Sequence, residues 1–242
     1  MRTSLSILAL LAVAACSGGG SSGGGTAGVG GTPANGDSDL TFTGIASAAA
    51  TASDADAVAF ASALDTFQAD VADIDGRPLD DFNFTMFTEV PTTGTASYSG
   101  FINEHADATA NLSAGLDLDV NFATTDVTAD QTSDFFADDD GTLVAYDGAL
   151  SFENGKVGAR GVDNSARLDI AGTLIGDSNT VVVDGEIFGK LVGTPIVGIS
   201  ANTTVAEAAA QTNPDRAMNI TLNGDAVTDG SAGFVVIDDT LR

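Results

Sequence analysis

The sequence is poorest in cysteine, tryptophan and positive charge. Its 242 residues include one Cys, no Trp, and 8 Lys or Arg against 34 Asp or Glu, which gives a formal charge of −26. A single thiol excludes an internal disulfide framework. An acid excess of this size excludes nucleic acid as a partner, because the chain would repel its phosphate backbone. The excess is best explained as a solvated surface, typical of a protein exposed to a salty medium.

Residues that commonly carry catalysis are also scarce. The one histidine, His105, lies in the polar stretch NEHADA, and no G-x-S-x-G motif is present. Nucleophilic hydrolysis needs a base beside its nucleophile, so this chemistry is not supported. A pair of carboxylates could in principle hydrolyse glycosides in so acidic a chain. Nothing in the sequence favours that alternative, so we expect no enzyme activity and no cofactor, and we interpret His105 as a histidine in an exposed turn.

The longest apolar run lies at the N-terminus. It follows Arg2 and covers residues 5–15, LSILALLAVAA. Such a run is too short to cross about 30 Å of hydrocarbon as a helix and is typical of a signal peptide. Its end, VAAC at 13–16, resembles the lipobox of bacterial lipoproteins. The resemblance implies cleavage after a signal peptide of residues 1–15 and acylation of Cys16.

Residues 16–37 predict a flexible tether behind that cysteine. The stretch SGGGSSGGGTAGVGGTPANG has no apolar face to bury, and such Gly/Ser-rich segments behave as random coils. Ser17, where an Asp would favour retention in the inner membrane, implies export to the outer membrane. We therefore expect a lipid-anchored protein of the bacterial outer membrane, on the cell surface or, as the alternative, on its periplasmic face. The lipid is needed because so acidic a chain would not bind a bilayer by charge.

Residues 38–81 predict a helical lead-in to the folded domain. Ser53 and Asp56 form a helix start, and apolar residues then recur on one face at Phe60, Leu64, Phe67 and Val71. The spacing predicts an amphipathic helix over 53–74, which DGRP at 75–78 ends. Its apolar stripe is expected to pack on the following sheet.

Residues 82–242 predict a β-domain, because the apolar period changes from 3.6 to 2. Alternation runs through TASYSGFI at 95–102 and through residues 116–122. Asn154-Gly155 predicts a tight hairpin, and a short helix is expected over 205–211. Short strands at this spacing indicate a mainly β fold, an antiparallel up-and-down barrel of about eight strands.

Two acidic stretches resemble metal sites. Asp117, Asp119 and Asn121 have the spacing that opens a calcium loop, but the sixth and twelfth positions of that loop hold Phe122 and Thr128 rather than Gly and Glu. We therefore interpret residues 115–122 as a strand. Three consecutive acids remain as weak candidates for a divalent cation, with a solvated hairpin loop as the alternative: Asp138, Asp139 and Asp140.

The strands resemble a known family of surface lipoproteins. GTASYSGF at 94–101, the alternating stretch at 115–135 and AGTLIGDSNTVVVDGEIFGKLVG at 171–193 are similar to the barrel domains of transferrin-binding protein B. The resemblance implies a single barrel that binds its ligand through variable loops, so no ligand residue can be carried over. The chain lacks the family's Ala-Glu pair between Gly193 and Gly198, and it is far shorter than the bilobed receptor, so transferrin binding is not implied.

Two classes of function follow. The first is a binding module for a protein or small solute, in nutrient or iron acquisition, with a TonB-dependent receptor as a candidate partner. The second is a structural lipoprotein that protects the envelope through its acidic surface and has no specific ligand.

Overall fold

A computed structural model describes residues 55–106, 110–139, 142–176, 178–206 and 217–242. The signal peptide, Cys16, the tether, Ser53, Asp140 and most of the predicted helix over 205–211 lie outside the described residues. The α-helix α1 covers Ala55–Ala72, and two short 3-10 helices cover Leu79–Asp81 and Asp239–Leu241. The strands are β1 Thr95–Ala106, β2 Asn111–Asn121, β3 Asp126–Ala129, β4 Phe135–Asp139, β5 Thr142–Val157, β6 Ser165–Gly176, β7 Asn179–Val192, β8 Gly198–Thr204, β9 Met218–Leu222, β10 Asp225–Ala226 and β11 Gly230–Asp238.

The strands close into an antiparallel barrel with eight positions. Each long strand pairs with the next along the chain, and β11 pairs with β1 to close the ring. Two positions are each shared by a pair of short strands: β3 and β4 lie between β2 and β5, and β8 and β9 lie along β7. The predicted up-and-down barrel of about eight strands is confirmed.

Side chains fill the interior of the barrel. The alternating residues Leu116, Leu118 and Val120 of β2, and Phe122 directly after it, are at most 7% exposed, whereas Asp117 and Asp119 face solvent. The stretch is therefore a strand, as the alternation predicts, and its acids do not converge. Barrels of about eight strands are just wide enough for side chains to fill, so burial of these apolar faces provides the core.

Helix α1 covers part of the outer wall. The predicted apolar stripe is buried at Phe60, Leu64 and Phe67, and Val71 is half-buried. These residues form a second core with outward-facing barrel side chains, among them Phe101, Phe136 and Val235. The helix therefore occupies the wall made by β1, β4 and β11, which positions the groove described below.

The hairpin predicted at Asn154-Gly155 is wrong. Both residues lie inside β5, which pairs with β6 on either side of them and shifts register between Glu153 and Lys156. Asn154 has φ +52, and a Cβ on Gly155 would lie 2.4 Å from the Val127 carbonyl oxygen. The pair therefore forms a β-bulge, where Asn tolerates the left-handed conformation and Gly allows close approach to β3. The sheet on both sides decides against a turn.

Asn223-Gly224 does reverse the chain. Their φ angles are +55 and +89, and they join β9 to β10 as a two-residue loop. Both central residues of a type I′ turn require positive φ, which Asn and Gly adopt most readily. The same dipeptide thus makes a turn or a bulge, depending on whether neighbouring strands continue past it.

Candidate functional site

A groove with an apolar floor lies between α1 and the barrel wall. Its volume is about 590 Å³, and one side is the first half of α1, from Asp56 to Ala63. The floor is the outer face of β1, β2 and β4, and the far side is the segment 130–134 between β3 and β4. This volume falls in the range of small-molecule sites.

Three aromatic rings form the floor. Phe60 of α1 packs against Phe101 of β1 edge to face, with ring centroids 5.8 Å apart. Phe60 also packs against Phe136 of β4 at 4.7 Å. All three rings are buried, so the floor is rigid and apolar. Their positions follow from the helix period and the strand alternation, which place each ring between α1 and the wall.

Four aspartates surround this floor. Asp56 comes from the first turn of α1, Asp117 from β2, and Asp130 and Asp134 from the segment 130–134. That segment is held to β5 by a pair of backbone hydrogen bonds between Thr132 and Leu150, at 3.0 and 2.9 Å. No basic side chain of the described residues lines the groove. The rim therefore has a negative potential that no lining cation offsets.

Gly115 leaves the floor open. It lies on β2 directly opposite Phe101 in the strand register and is exposed. A Cβ built on Gly115 would meet no atom within 4 Å, and its backbone φ is not positive. A side chain at this position would project into free space without straining the fold. Gly115 therefore keeps the groove open and provides a site at which it can be filled.

An apolar floor with an acidic rim selects one kind of ligand. The apolar lining of the groove favours an apolar group of the ligand. Carboxylates around a partly desolvated surface favour a positive charge and reject a negative one. The arrangement fits an amphipathic cation, such as an organic amine or a peptide segment that combines an apolar side chain with Lys or Arg.

The candidate metal residues are only partly described. Asp138 and Asp139 lie at the end of β4, paired in register with Leu143 and Thr142, and Asp140 lies outside the described residues. Asp138 is half-buried and interacts with other groups. Within the described ranges, no cluster of three or more His, Cys, Asp or Glu side chains is placed to hold a metal ion. The cation site at these residues stays a prediction.

The turn predicted at His105 is wrong. His105 lies in β1, which continues to Ala106, and its side chain is half-buried. Its Nδ1 contacts Oδ1 of Asn111, the residue opposite on β2. The stretch from Asn103 to Ala106 is extended because its backbone pairs with β2 and β11 on both sides. Strand pairing here overrides the turn preference of Asn and Asp.

Glu104, the neighbour of His105, is a buried acid that sequence reasoning missed. It is 0% exposed, and neither carboxylate oxygen has a hydrogen-bond partner. Burial raises the pKa of Glu104 well above its ordinary value of 4.5. The alternation Tyr98, Ile102, Glu104 could have revealed it, because an unbroken period of two puts Glu104 on the inward face.

Comparisons with known proteins give no identification. No protein-family model, curated protein or solved structure matches the chain. Among the described residues, no helix has the length and apolar character needed to cross a membrane. The groove and the barrel are therefore the basis for a functional assignment.

Proposed function

We propose that this protein is a binding module, anchored by lipid to the bacterial outer membrane, and that the groove between α1 and the barrel is its ligand site. The supporting observation is the combination of a buried aromatic floor with four surrounding aspartates in a groove of about 590 Å³. The ligand is a cationic, partly apolar solute or protein segment. The proposal involves no catalytic step.

The anchor in this proposal is Cys16. It follows the apolar run 5–15 and precedes a Gly/Ser tether whose end-to-end distance is on the order of 25 Å. Such a tether lets the barrel reach partners beside it, and a TonB-dependent receptor for nutrient or iron uptake is the partner we propose. The Cys16→Ser chain is expected to keep its signal peptide or to leave the membrane fraction. Unchanged precursor size and unchanged detergent partitioning would argue against this anchor.

The groove is tested by filling it. Gly115→Trp places an indole over the floor, and Thr173→Trp adds the same group at an exposed position of β6, outside the groove. The probe is the dipeptide amide Phe-Arg-NH2, with Phe-Glu as the anionic control, followed by NMR chemical shifts. We expect saturable shifts around Phe101 and Phe136 with the cationic probe alone. Gly115→Trp should abolish them, and Thr173→Trp should leave them unchanged.

Charge provides a second arm of the same test. Asp117→Asn with Asp130→Asn removes two rim charges, and exposed ion pairs of this kind contribute roughly 0.2–1 kcal/mol each. The affinity for Phe-Arg-NH2 should therefore fall by about two- to thirtyfold, with weaker salt dependence. Equal binding of both dipeptides, or binding that Gly115→Trp leaves intact, contradicts the assignment of the groove.

The second candidate function is a structural, envelope-protecting lipoprotein without a specific ligand. The formal charge of −26 favours it, because a dense acidic surface needs no ligand to hydrate an envelope. High surface abundance together with no saturable ligand for the groove would support this function over the binding module.

A further inference from the structure

Exposed apolar side chains are concentrated at one end of the barrel. Two loops carry them: the segment 83–91 before β1 and the turn 158–164 between β5 and β6. Four side chains there are between 41 and 78% exposed, and we call them the apolar tip: Phe84, Met86, Phe87 and Val162. Clustered apolar residues on a charged protein mark an interaction surface rather than chance exposure.

The segment 83–91 of the apolar tip is anchored to the barrel by Thr85 and Val90. Thr85 is buried, its N–H donates to the Leu191 carbonyl at 2.9 Å, and its hydroxyl donates to the Gly193 carbonyl at 2.6 Å. Val90, at the other end of the segment, is buried in the barrel interior. Between these two fixed points Met86 and Phe87 face outward. The backbone that carries Met86 and Phe87 is therefore fixed at both ends.

The two loops also bind each other. The Gly161 N–H donates to the Phe87 carbonyl at 2.6 Å, and Arg160 Nε donates to the Thr88 carbonyl at 3.2 Å. These bonds hold the two loops together at Phe87, Thr88, Arg160 and Gly161, so the exposed residues Phe87 and Val162 lie on adjoining loops. Both loops lie beyond the strand ends, because β5 ends at Val157 and β6 begins at Ser165.

Basic residues gather just behind the apolar tip. Four of them lie in the turn, near the ends of β5 and β7 or at the start of β6: Lys156, Arg160, Arg167 and Lys190. Lys156 and Arg167 are register partners, and Lys190 is paired in register with Ser165. Three acids of the same region have local partners: Asp126 pairs with Lys156, Asp163 accepts from Ser165 and Glu89 accepts from Thr194. Four of the eight Lys and Arg residues of a molecule of charge −26 thus lie at this one end.

Charges close to the apolar tip determine whether it can approach an anionic surface. At physiological salt the Debye length is about 8 Å, so charges farther away are largely screened. Strands β1 and β2 of the acidic groove are three or four strand positions around the ring from β6 and β7, or roughly 14–19 Å along the barrel wall at about 4.8 Å per strand. The net charge of the molecule therefore does not prevent an anionic surface from meeting the apolar tip.

We propose that the apolar tip inserts into the interfacial region of a phospholipid bilayer, with Arg160, Arg167 and Lys190 against the lipid phosphates. The apolar tip lies beyond the basic residues at this end of the barrel. In a bilayer, apolar groups likewise lie deeper, at the acyl boundary, and Lys or Arg side chains remain at the headgroups. The contact orients the barrel so that the groove on the β1 and β2 side stays away from the lipid. It does not require the acyl group on Cys16 and is independent of the groove's ligand.

The absence of Trp from the chain allows a site-specific test. Phe87→Trp places a single fluorophore in the apolar tip, and Ile175→Trp places one at an exposed apolar position at the other end of β6. The full chain, with and without Cys16→Ser, is mixed with phosphatidylcholine–phosphatidylglycerol vesicles whose acyl chains are brominated. We expect a blue shift and quenching for Phe87→Trp and neither for Ile175→Trp. Arg160→Glu should weaken the vesicle binding of Phe87→Trp at least about fivefold.

These measurements distinguish a bilayer contact of the apolar tip from anchoring by Cys16 alone and from self-association. Quenching that persists in the Cys16→Ser chain supports the bilayer contact even if the proposed anchor is wrong. Phe87→Trp emission unaffected by the brominated vesicles, while the chain still sediments with them, overturns the bilayer contact and leaves the anchor intact. A blue shift that grows with protein concentration in the absence of vesicles overturns it as well, because the occupant of the tip is then a second copy.

Discussion

At the scale of single residues, Glu104 has the largest consequence for the solution behaviour of this protein. Its carboxyl lies opposite Leu112 and Ala232 in the strand register, inside the apolar core. A buried ionised carboxylate without a partner is costly, so the folded state keeps the proton to a higher pH than the unfolded state does. The folded barrel therefore prefers Glu104 in its neutral form.

This preference predicts a pH dependence of stability. The pKa of Glu104 in the folded state is raised above 4.5, so between that pH and the raised pKa the folded chain holds a proton that the unfolded chain releases. The free energy of unfolding therefore falls as the pH rises above about 4.5, by up to about 1.4 kcal/mol per pH unit. Glu104→Gln should remove this part of the slope in urea titrations performed from acid to alkaline pH.

The control for that measurement is Glu153→Gln, at an exposed position of β5. It removes the same charge at the surface, so it reports how much of the slope comes from general repulsion among acids. If Glu104→Gln and Glu153→Gln have the same pH profile, the folded state ionises Glu104 like an exposed acid and the prediction fails.

At the scale of elements, the docking of α1 depends on a missing side chain in β1. A Cβ on Gly100 would lie 2.9 Å from Phe67 Cζ and 2.0 Å from the Val235 carbonyl oxygen. Glycine at this position thus lets α1 and β11 approach β1 together. The chain end adds a further tie, because Arg242 pairs with Asp70 of α1 at 3.1 Å. The helix is consequently part of the folded domain and one wall of the groove.

The helix can be tested with one matched pair of variants. Phe67 is 0% exposed and Val58 is 55% exposed on the same helix. Phe67→Ala should lower the free energy of unfolding by about 3–5 kcal/mol, whereas Val58→Ala should change it by less than about 0.5 kcal/mol. Urea denaturation measures both. Similar small losses in the two variants would mean that α1 does not pack on the barrel in solution.

At the scale of the whole molecule, repulsion among carboxylates opposes folding. The chain has 34 acids and 8 basic residues, and pairs such as Lys156–Asp126 and Arg242–Asp70 neutralise few of them. Salt screens this repulsion without needing a specific site. A bound cation would stabilise the fold in a different way, by saturable binding to the native state.

These two effects predict different thermal melts. Under repulsion the melting temperature rises smoothly with sodium chloride over tens to hundreds of millimolar, and calcium at matched ionic strength adds nothing. We expect this result. A calcium-dependent rise of more than about 5 °C would contradict it. If that rise were lost when Asp138, Asp139 and Asp140 become Asn, the cation site at those residues would be established.

The sequence by itself determined the fold class, because periodicity is a local property. An apolar stripe at 3.6 predicted α1, and alternation at 2 predicted β2 with Leu116 and Leu118 inside. The same local rules erred at Asn154-Gly155 and at His105. In both places the backbone pairs with strands distant in the chain, and that pairing outweighs the local turn preference.

Only the tertiary structure decided where the functional surfaces lie. Asp56, Asp117, Asp130 and Asp134 are spread over nearly 80 residues of the chain, and no spacing rule relates them. They meet because α1 docks on the wall that β1, β2 and β4 build, beside an open Gly115. The loops of the apolar tip likewise meet because strand closure brings 83–91 and 158–164 to one end. Such juxtapositions depend on long-range pairing, which a one-dimensional pattern of residues does not encode.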